Sequence, residues 1–362
     1  MEIECSCENS CIITSEKIEK YLSANDPCSK CKEPNIKKFK PLSEQVSLED
    51  IDNDFGRCSC GKRSLDSVMA HVLKVIIDLN VDIGKDTLRN GPIPLITPFY
   101  TMTKLPFIDE NSLVILDDRL EKKDGEYIVE NVKEVKGVLK GSSHDTVGIK
   151  DFNSSATVYE LLSGCDIRCD IIQSYGKPIA INKIQHLSYL EFPQSMENKI
   201  MKLCSYIKSK HLSPEKIANL RILDGTCGNG SLGIFLLNYG VEKVIFNDIW
   251  YPATVSTSIN LESNGFKVGS FNIKNNNRSN RNKKNNHLNI NNIYENHVKS
   301  PLNYKIAEGE KFEVYNFAIE NLANNLKDNH EIDLCILDCF PNVNTVKFEK
   351  VAKSIANEVW II

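Results

Sequence analysis

The chain has 362 residues, 41% hydrophobic and 25% charged, which suits a soluble globular protein of two or three domains with at least one sizeable core. No apolar run nears the roughly 18 residues that span a bilayer, and the start Met1-Glu2-Ile3-Glu4-Cys5 has neither the basic nor the apolar segment of a signal peptide, so a membrane role is excluded and a cytoplasmic protein expected. A net charge of −4 argues against a protein that grips long stretches of nucleic acid, but leaves room for a local basic patch serving a compact RNA.

Seven of the 13 cysteines fall within the first 60 residues, as Cys5-Ser6-Cys7, Cys11, Cys28-Ser29-Lys30-Cys31 and Cys58-Ser59-Cys60-Gly61. In a reducing compartment such short pairs favour metal ligation over disulfides. Structural zinc takes four Cys or His ligands, commonly as two short pairs. Cys5 and Cys7 with Cys28 and Cys31 make such a set, in which Cys58 and Cys60 can replace one pair and Cys11 one ligand. An iron–sulfur cluster and unligated thiols are the alternatives. Residues 1–60 are therefore read as a metal-binding head.

Residues 61–195 read as a mixed α/β accessory, substrate-recognition domain. Leu65, Val68, Met69, Val72 and Ile76 recur at helical spacing, with Ser64 as N-cap and His71 beside the apolar face as a core residue. Gly91-Pro92-Ile93-Pro94 reads as a loop. Short apolar runs of strand length lie at 112–117 and 137–140, and further strands are expected at 156–162, 170–173 and 177–182, antiparallel because their links are short. The isolated Cys165 and Cys169 are read as buried small hydrophobes.

From 196 onward an amphipathic helix over 196–210 leads into alternating strand and helix signals, which imply a parallel sheet with helices on both faces. Strands are expected at 221–224, 243–247, 312–317, 333–338 and 359–362, and helices from Ser231, from Pro252, to Leu326 and over 345–357. The Asn-rich basic run 275–286 lacks the apolar residues that offset the entropy of ordering. It is read as a disordered insertion within 272–297, with an RNA-contacting arm as the alternative.

The segment Ile222-Leu223-Asp224-Gly225-Thr226-Cys227-Gly228-Asn229-Gly230-Ser231 carries the chemistry: a strand, a glycine-rich turn and a helix start whose free N–H groups face a ligand. An acid at position 224 repels a pyrophosphate but suits a cofactor with a cationic amino-acid end. Asp248, 24 residues on at the end of the next strand, is placed to accept hydrogen bonds from a ribose. It would also serve as a helix cap.

These segments, with Phe246-Asn247-Asp248-Ile249 and Ala253…Asn260…Asn264-Gly265, resemble class I S-adenosylmethionine (SAM) methyltransferases. The second and third are most similar to archaeal tRNA guanine methyltransferases, and the likeness covers about 215–345. It implies an α/β fold with a Rossmann-like SAM-binding domain over 196–362. It also implies cofactor contacts at Asp224, Gly225, Thr226, Gly228, Gly230, Asp248, Ile249, Ala318 and Asp338, and a methyl acceptor near Asp338 and Phe340. Asp338 would orient or deprotonate the acceptor, with a strand-end residue that only shapes the cofactor pocket as the alternative. Phe340 would stack on a planar acceptor, with core packing as the alternative.

Three departures stand out. Ala318 occupies the place of the family's adenine-contacting Asp. Asp338-Cys339-Phe340-Pro341 replaces the motif that positions an exocyclic amine. The chain ends at its fifth strand, so the sheet is expected to be shortened or completed by residues before 196. The resemblance implies methylation of RNA, tRNA first. A small-molecule acceptor in archaeal cofactor biosynthesis, such as the iron-guanylylpyridinol cofactor, and a SAM-fold scaffold without catalysis are the alternatives. Cys227 and Cys339 would lie in the cofactor pocket as bystanders rather than catalytic thiols.

Overall fold

The computed structural model describes residues 2–4, 11–96, 106–150, 154–173, 176–191, 193–272, 287–289, 301–326, 331–341 and 343–362. Cys5, Cys7 and the Asn-rich run 275–286 lie outside them. The chain divides into two compact units. One holds Lys17–Thr146 and Val158–Arg168; the other holds Met1–Glu16, Val147–Thr157 and Cys169–Ile362. The three-way division expected from the sequence differs from this: 195/196 falls inside the second unit, and 60/61 falls inside the first.

After a short strand β1 (Glu2–Glu4), the first unit runs α1 (Ile18–Ser23), β2 (Arg63–Ser64), α2 (Leu65–Asp78), β3 (Ile93–Leu95), β4 (Phe107–Ile108), β5 (Leu113–Leu116), α3 (Lys122–Asn131), β6 (Val135–Lys140) and β7 (Glu160–Gly164). The Ser64 hydroxyl caps α2 by accepting the Ser67 N–H. The α2 face packs with Ile115, Ile128, Val138 and Leu162 into one core. The sheet order is β3-β5-β6-β7.

β5 and β6 are parallel, because α3 connects them as a crossover, and β7 adds antiparallel to β6. One expectation fails here: the segment 93–95, read within a loop, is a strand antiparallel to β5. Helix α3 is masked in the sequence by Gly125, yet a Cβ at 125 would stand 2.8 Å from Leu162 Cβ. The glycine is therefore there for close packing, not to break the helix.

The loop before β2 is fastened by buried charge. Arg63 and Glu134 are both fully buried and ion-paired, Arg57 reaches Glu134 at 2.9 Å, and Arg63 Nη1 donates to the Asp52 carbonyl. His71 is buried beside Arg63, and burial together with that guanidinium holds its pKa down at about 4, in keeping with a neutral core residue.

The second unit contains β8 (Ile167–Ile172, whose first two residues belong to the first unit), β9 (Ile179–Ile184), α4 (Pro193–Ser209), α5 (Pro214–Ala218), β10 (Arg221–Asp224), α6 (Ser231–Tyr239), β11 (Lys243–Asn247), α7 (Tyr251–Ser263), β12 (Ser270–Phe271), β13 (His287–Asn289), β14 (Tyr304–Gly309), β15 (Phe312–Asn316), α8 (Ile319–Leu326), β16 (Ile332–Leu337), α9 (Val346–Ala352) and β17 (Ala356–Ile361). Its sheet has the order β12-β14-β15-β11-β10-β16-β17. The five strands from β15 to β17 are parallel; β14 and β12 add antiparallel at the β15 edge. Among the described residues the sheet is thus neither completed by residues before 196 nor left at five strands: it grows on the opposite edge, from residues 270–309. Within the stretch read as disordered, β13 pairs in parallel with β1.

Helix α7 explains why 179–184 belongs with this unit. Asn264 accepts the Ala180 N–H and donates to its carbonyl, and Asn260 does the same for Asn182, at 2.8 to 3.1 Å. Two side-chain amides one helical turn apart thereby stand in for a neighbouring strand along β9.

Candidate active site and cysteine cluster

Strand β10 runs from Arg221 through the apolar Ile222 and Leu223 to Asp224, which is 1% exposed. Asp224 Oδ2 accepts the Gly233 N–H at 3.1 Å, while Oδ1 has no hydrogen-bond partner. Burial pushes this carboxyl up to about 8; nearby Asp338 and Asp248 push the same way, and the Gly233 N–H opposes them. The turn that follows is pinned on both sides, with the Gly225 N–H donating to the Ile336 carbonyl and the Cys227 N–H to the Asn247 carbonyl. Gly228 and Gly230 take left-handed φ of +55° and +85°, which a side chain would strain.

At the end of β11, buried Asn247 donates to the Gly225 and Phe317 carbonyls and accepts the Phe317 N–H, each at 3.1 Å. One amide thus clamps the ends of three neighbouring strands. Asp248 accepts the Gly228 N–H at 2.9 Å and the Trp250 N–H at 2.7 Å. Its pKa is pushed up to about 6 by burial, against those two N–H groups. The carboxylate therefore ties the glycine turn to the start of α7 and keeps acceptor capacity on each oxygen.

Asp338 follows β16, its N–H donating to Thr226 Oγ1 at 2.8 Å. Its Oδ2 meets Lys199 Nζ at 2.6 Å, and the same ammonium meets Glu191 at 2.6 Å. Burial raises the Asp338 pKa, and Lys199 opposes this. Burial works against the charge on Lys199, but Glu191 and Asp338 outweigh it and hold the lysine above its usual value.

These residues line one cavity beyond the carboxyl ends of the parallel strands, where open α/β sheets bind ligands. Of the residues singled out in the sequence, Asp224, Gly225, Thr226, Gly228, Asp248, Ile249, Ala318, Asp338 and Phe340 line it. Gly230 is not among the lining residues; a Cβ there would stand 2.9 Å from Thr257, so it serves the packing of α7. Cys227 and Cys339 line the cavity as well, and burial pushes both thiols up, Cys339 to about 11, away from nucleophilic thiolate.

Sequence reasoning missed three residues: Lys199 and Glu191, which lie 139 and 147 residues before Asp338, and Glu320, whose two buried oxygens accept no hydrogen bond although Oε1 stands 3.2 Å from Lys347 Nζ. Asn247 entered it only through the resemblance, without its clamping role. The cavity is lined by six carboxylates, Asp170, Glu191, Asp224, Asp248, Glu320 and Asp338, against Lys150, Lys183 and Lys199. Lys183 is committed to Asp170 at 2.6 Å. Tyr189 and Phe340 meet edge to face at 5.6 Å.

In the other unit Cys28, Cys31, Cys58 and Cys60 converge, their sulfurs all within 4.8 Å of one another. Three of the sulfur pairs stand 3.6 Å apart. Each pair sits on a tight turn: the Cys31 N–H donates to the Cys28 carbonyl, and the Gly61 N–H to the Cys58 carbonyl. Arg57 Nη1 holds the second turn through the Gly61 carbonyl. The pair gathered with Cys28 and Cys31 is Cys58 and Cys60, the alternate of the sequence reading; Cys5 and Cys7 lie outside the described residues. Cys11 lies in the second unit and is not part of the group.

No protein-family model matches this chain, and no curated protein matches it. Solved structures similar to it include Trm5b from Pyrococcus abyssi, at 17% identity, 68% of this chain, 55% of that one and a TM-score of 0.32. The tRNA m1G37 methyltransferase of M. jannaschii is similar at 14% identity, 79% of this chain, 62% of that one and a TM-score of 0.34. TYW2 of P. horikoshii in complex with MeSAdo is similar at 15% identity, 79% of this chain, 76% of that one and a TM-score of 0.33. The chain spans just over half the length of the first and less than two thirds of the second.

Proposed function

We propose that this chain is a SAM-dependent methyltransferase. The observation that carries the reading is the unpartnered Asp224 oxygen beside the glycine turn, in a cavity whose carboxylates outnumber its lysines. Such a cavity disfavours a dinucleotide pyrophosphate and favours a cationic ligand. Asp224 would face the cationic amino-acid end, and Asp248 the ribose hydroxyls. The backbone around Ala318 would face the adenine. SAM supplies a methyl group on a sulfonium; the chain's own task is to position the acceptor in line and exclude water. Asp338, fixed by Lys199 and made more basic by burial, would orient or deprotonate the acceptor.

RNA, with tRNA first, is the acceptor class we propose; Tyr189 and Phe340 suit a planar base. A small-molecule acceptor is the second reading, favoured by the carboxylate excess, which repels phosphate. Titration calorimetry with SAM is expected to show binding of about one equivalent; no binding would overturn the proposal. Transfer of labelled methyl from SAM should then mark RNA in a mixed cell extract. Label only in the small-molecule fraction would support the second reading.

We infer that the four gathered cysteines hold a structural zinc ion. Four thiolates at about 2.3 Å from one zinc stand roughly 3.8 Å apart, close to the spacing observed. An iron–sulfur cluster interposes several atoms and needs wider-spaced thiolates.

A further inference from the structure

The most exposed large apolar side chain among the described residues is Phe39, at 73%. Its neighbours Ile36 and Leu42 are buried, in a cluster with Ile51, Ala70 and Leu73. The chain thus dips into the core on either side of a short loop and lifts a phenyl ring into solvent between them. The loop is rigidly built. Gln45 accepts the Lys37 N–H at 2.6 Å and donates to the carbonyls of Lys37, Lys40 and Pro41 at 3.0 to 3.1 Å. The Leu42 N–H donates to the Asp86 carbonyl, and the Arg89 N–H to the Lys38 carbonyl. Asp86 also takes the Ser43 hydroxyl and N–H.

The chain leading to the ring is rich in lysine. Residues 28–40 hold Lys30, Lys32, Lys37, Lys38 and Lys40 against Glu33 alone. Lys38 is engaged by Asp66 at 3.1 Å. Lys37 and Lys40, on either side of the ring, are exposed and make no ion pair with a described residue. A single exposed apolar residue is ordinary. A phenyl ring held out by a loop with four hydrogen bonds to one amide, and flanked by uncommitted lysines, is a specific arrangement.

We propose that this loop is a stacking platform for an unpaired base of a single-stranded nucleic acid, with Lys37 and Lys40 on the flanking phosphates. A base has a flat apolar face for the ring and a phosphate on each side for the lysines. A duplex hides those faces. A lipid surface would use the same charges but has no need of a fixed ring. The inference deepens the RNA reading above, yet its own test does not pass through the cavity.

The experiment is fluorescence anisotropy of the full chain with labelled single-stranded RNA and DNA ten-mers, the matching duplex, and vesicles containing anionic lipid. The single strands are expected to bind better than the duplex. Phe39→Ala should weaken that binding roughly 5- to 150-fold, the scale of one lost stacking partner, and Phe39→Trp should restore it. Lys37→Gln and Lys40→Gln should each flatten the salt dependence by about 0.7 in the log–log slope. Equal binding by wild type and Phe39→Ala, equal binding of duplex, or binding to vesicles alone would overturn the platform. SAM binding measured on the same proteins separates the two ideas: Phe39→Ala should leave it unchanged, and its absence in wild type would count against the cavity reading while leaving the platform intact.

Discussion

Asp248 shows how one carboxylate serves fold and ligand together. It holds the Gly228 and Trp250 N–H groups, and the proposed ribose contact would use its remaining lone pairs. Asp248→Ala should weaken SAM binding by about 1.5–3 kcal/mol, the scale of hydrogen bonds to a charged group. The glycine turn also loses its tie, so the loss belongs at the upper end. Calorimetry showing wild-type affinity would remove the residue from the site. Asp224 and Asp248 were legible in the sequence because strand, turn and helix are local, and each strand ends where its polar residue begins. Lys199 was not, because nothing near it in the chain announces a partner 139 residues away. Glu320 was hidden for another reason: it follows Ala318, where the expected acid is missing, and looks like an ordinary residue in the first turn of a helix.

Among the elements, the two cysteine turns make a testable unit. Cys28→Ser and Cys58→Ser should each release the metal and destabilise the loop that Arg57 and Arg63 tie to Glu134, because structural metal binding contributes folding free energy. Cys5→Ser and Cys7→Ser should leave the metal in place, and SAM binding should survive all four. Elemental analysis is the readout; zinc retained in Cys58→Ser would break the assignment. Spacing alone left Cys28 and Cys31 with alternative partners, and the placement of 58–61 beside 28–31, which brings Cys58 and Cys60 to them, is long-range. The sheet shows the same limit. Its five parallel strands were readable from strand–helix alternation, but the antiparallel β12 and β14 were not, since Tyr304–Gly309 carries no clear alternation. On the outer strand β17, Tyr206 of α4 stacks on Trp360 at 5.5 Å and donates to Glu358, which Lys210 also pairs.

At the scale of the whole molecule, the cavity's carboxyls set how stability and binding follow pH. Burial lifts Asp224 to about 8 and Asp248 to about 6, from an ordinary 3.8. Between the ordinary and lifted values the folded chain holds more protons than the unfolded one, so ligand-free stability should fall as pH rises through that window. A cationic ligand favours the ionised carboxyls, so SAM affinity should rise from pH 6 to pH 8, with proton release on binding. Thermal melts with and without SAM across pH 5–8 test both signs; parallel curves would exclude Asp224 from the ligand. The unpartnered Asp224 oxygen carries one more consequence, for turnover. Giving up a methyl group turns a sulfonium into a neutral thioether, so a pocket that attracts positive charge has less hold on the spent by-product than on the fresh cofactor. On the proposed reading, the charge of the walls would favour the discarding of product, and the preference for cofactor over by-product should widen as the medium becomes more alkaline.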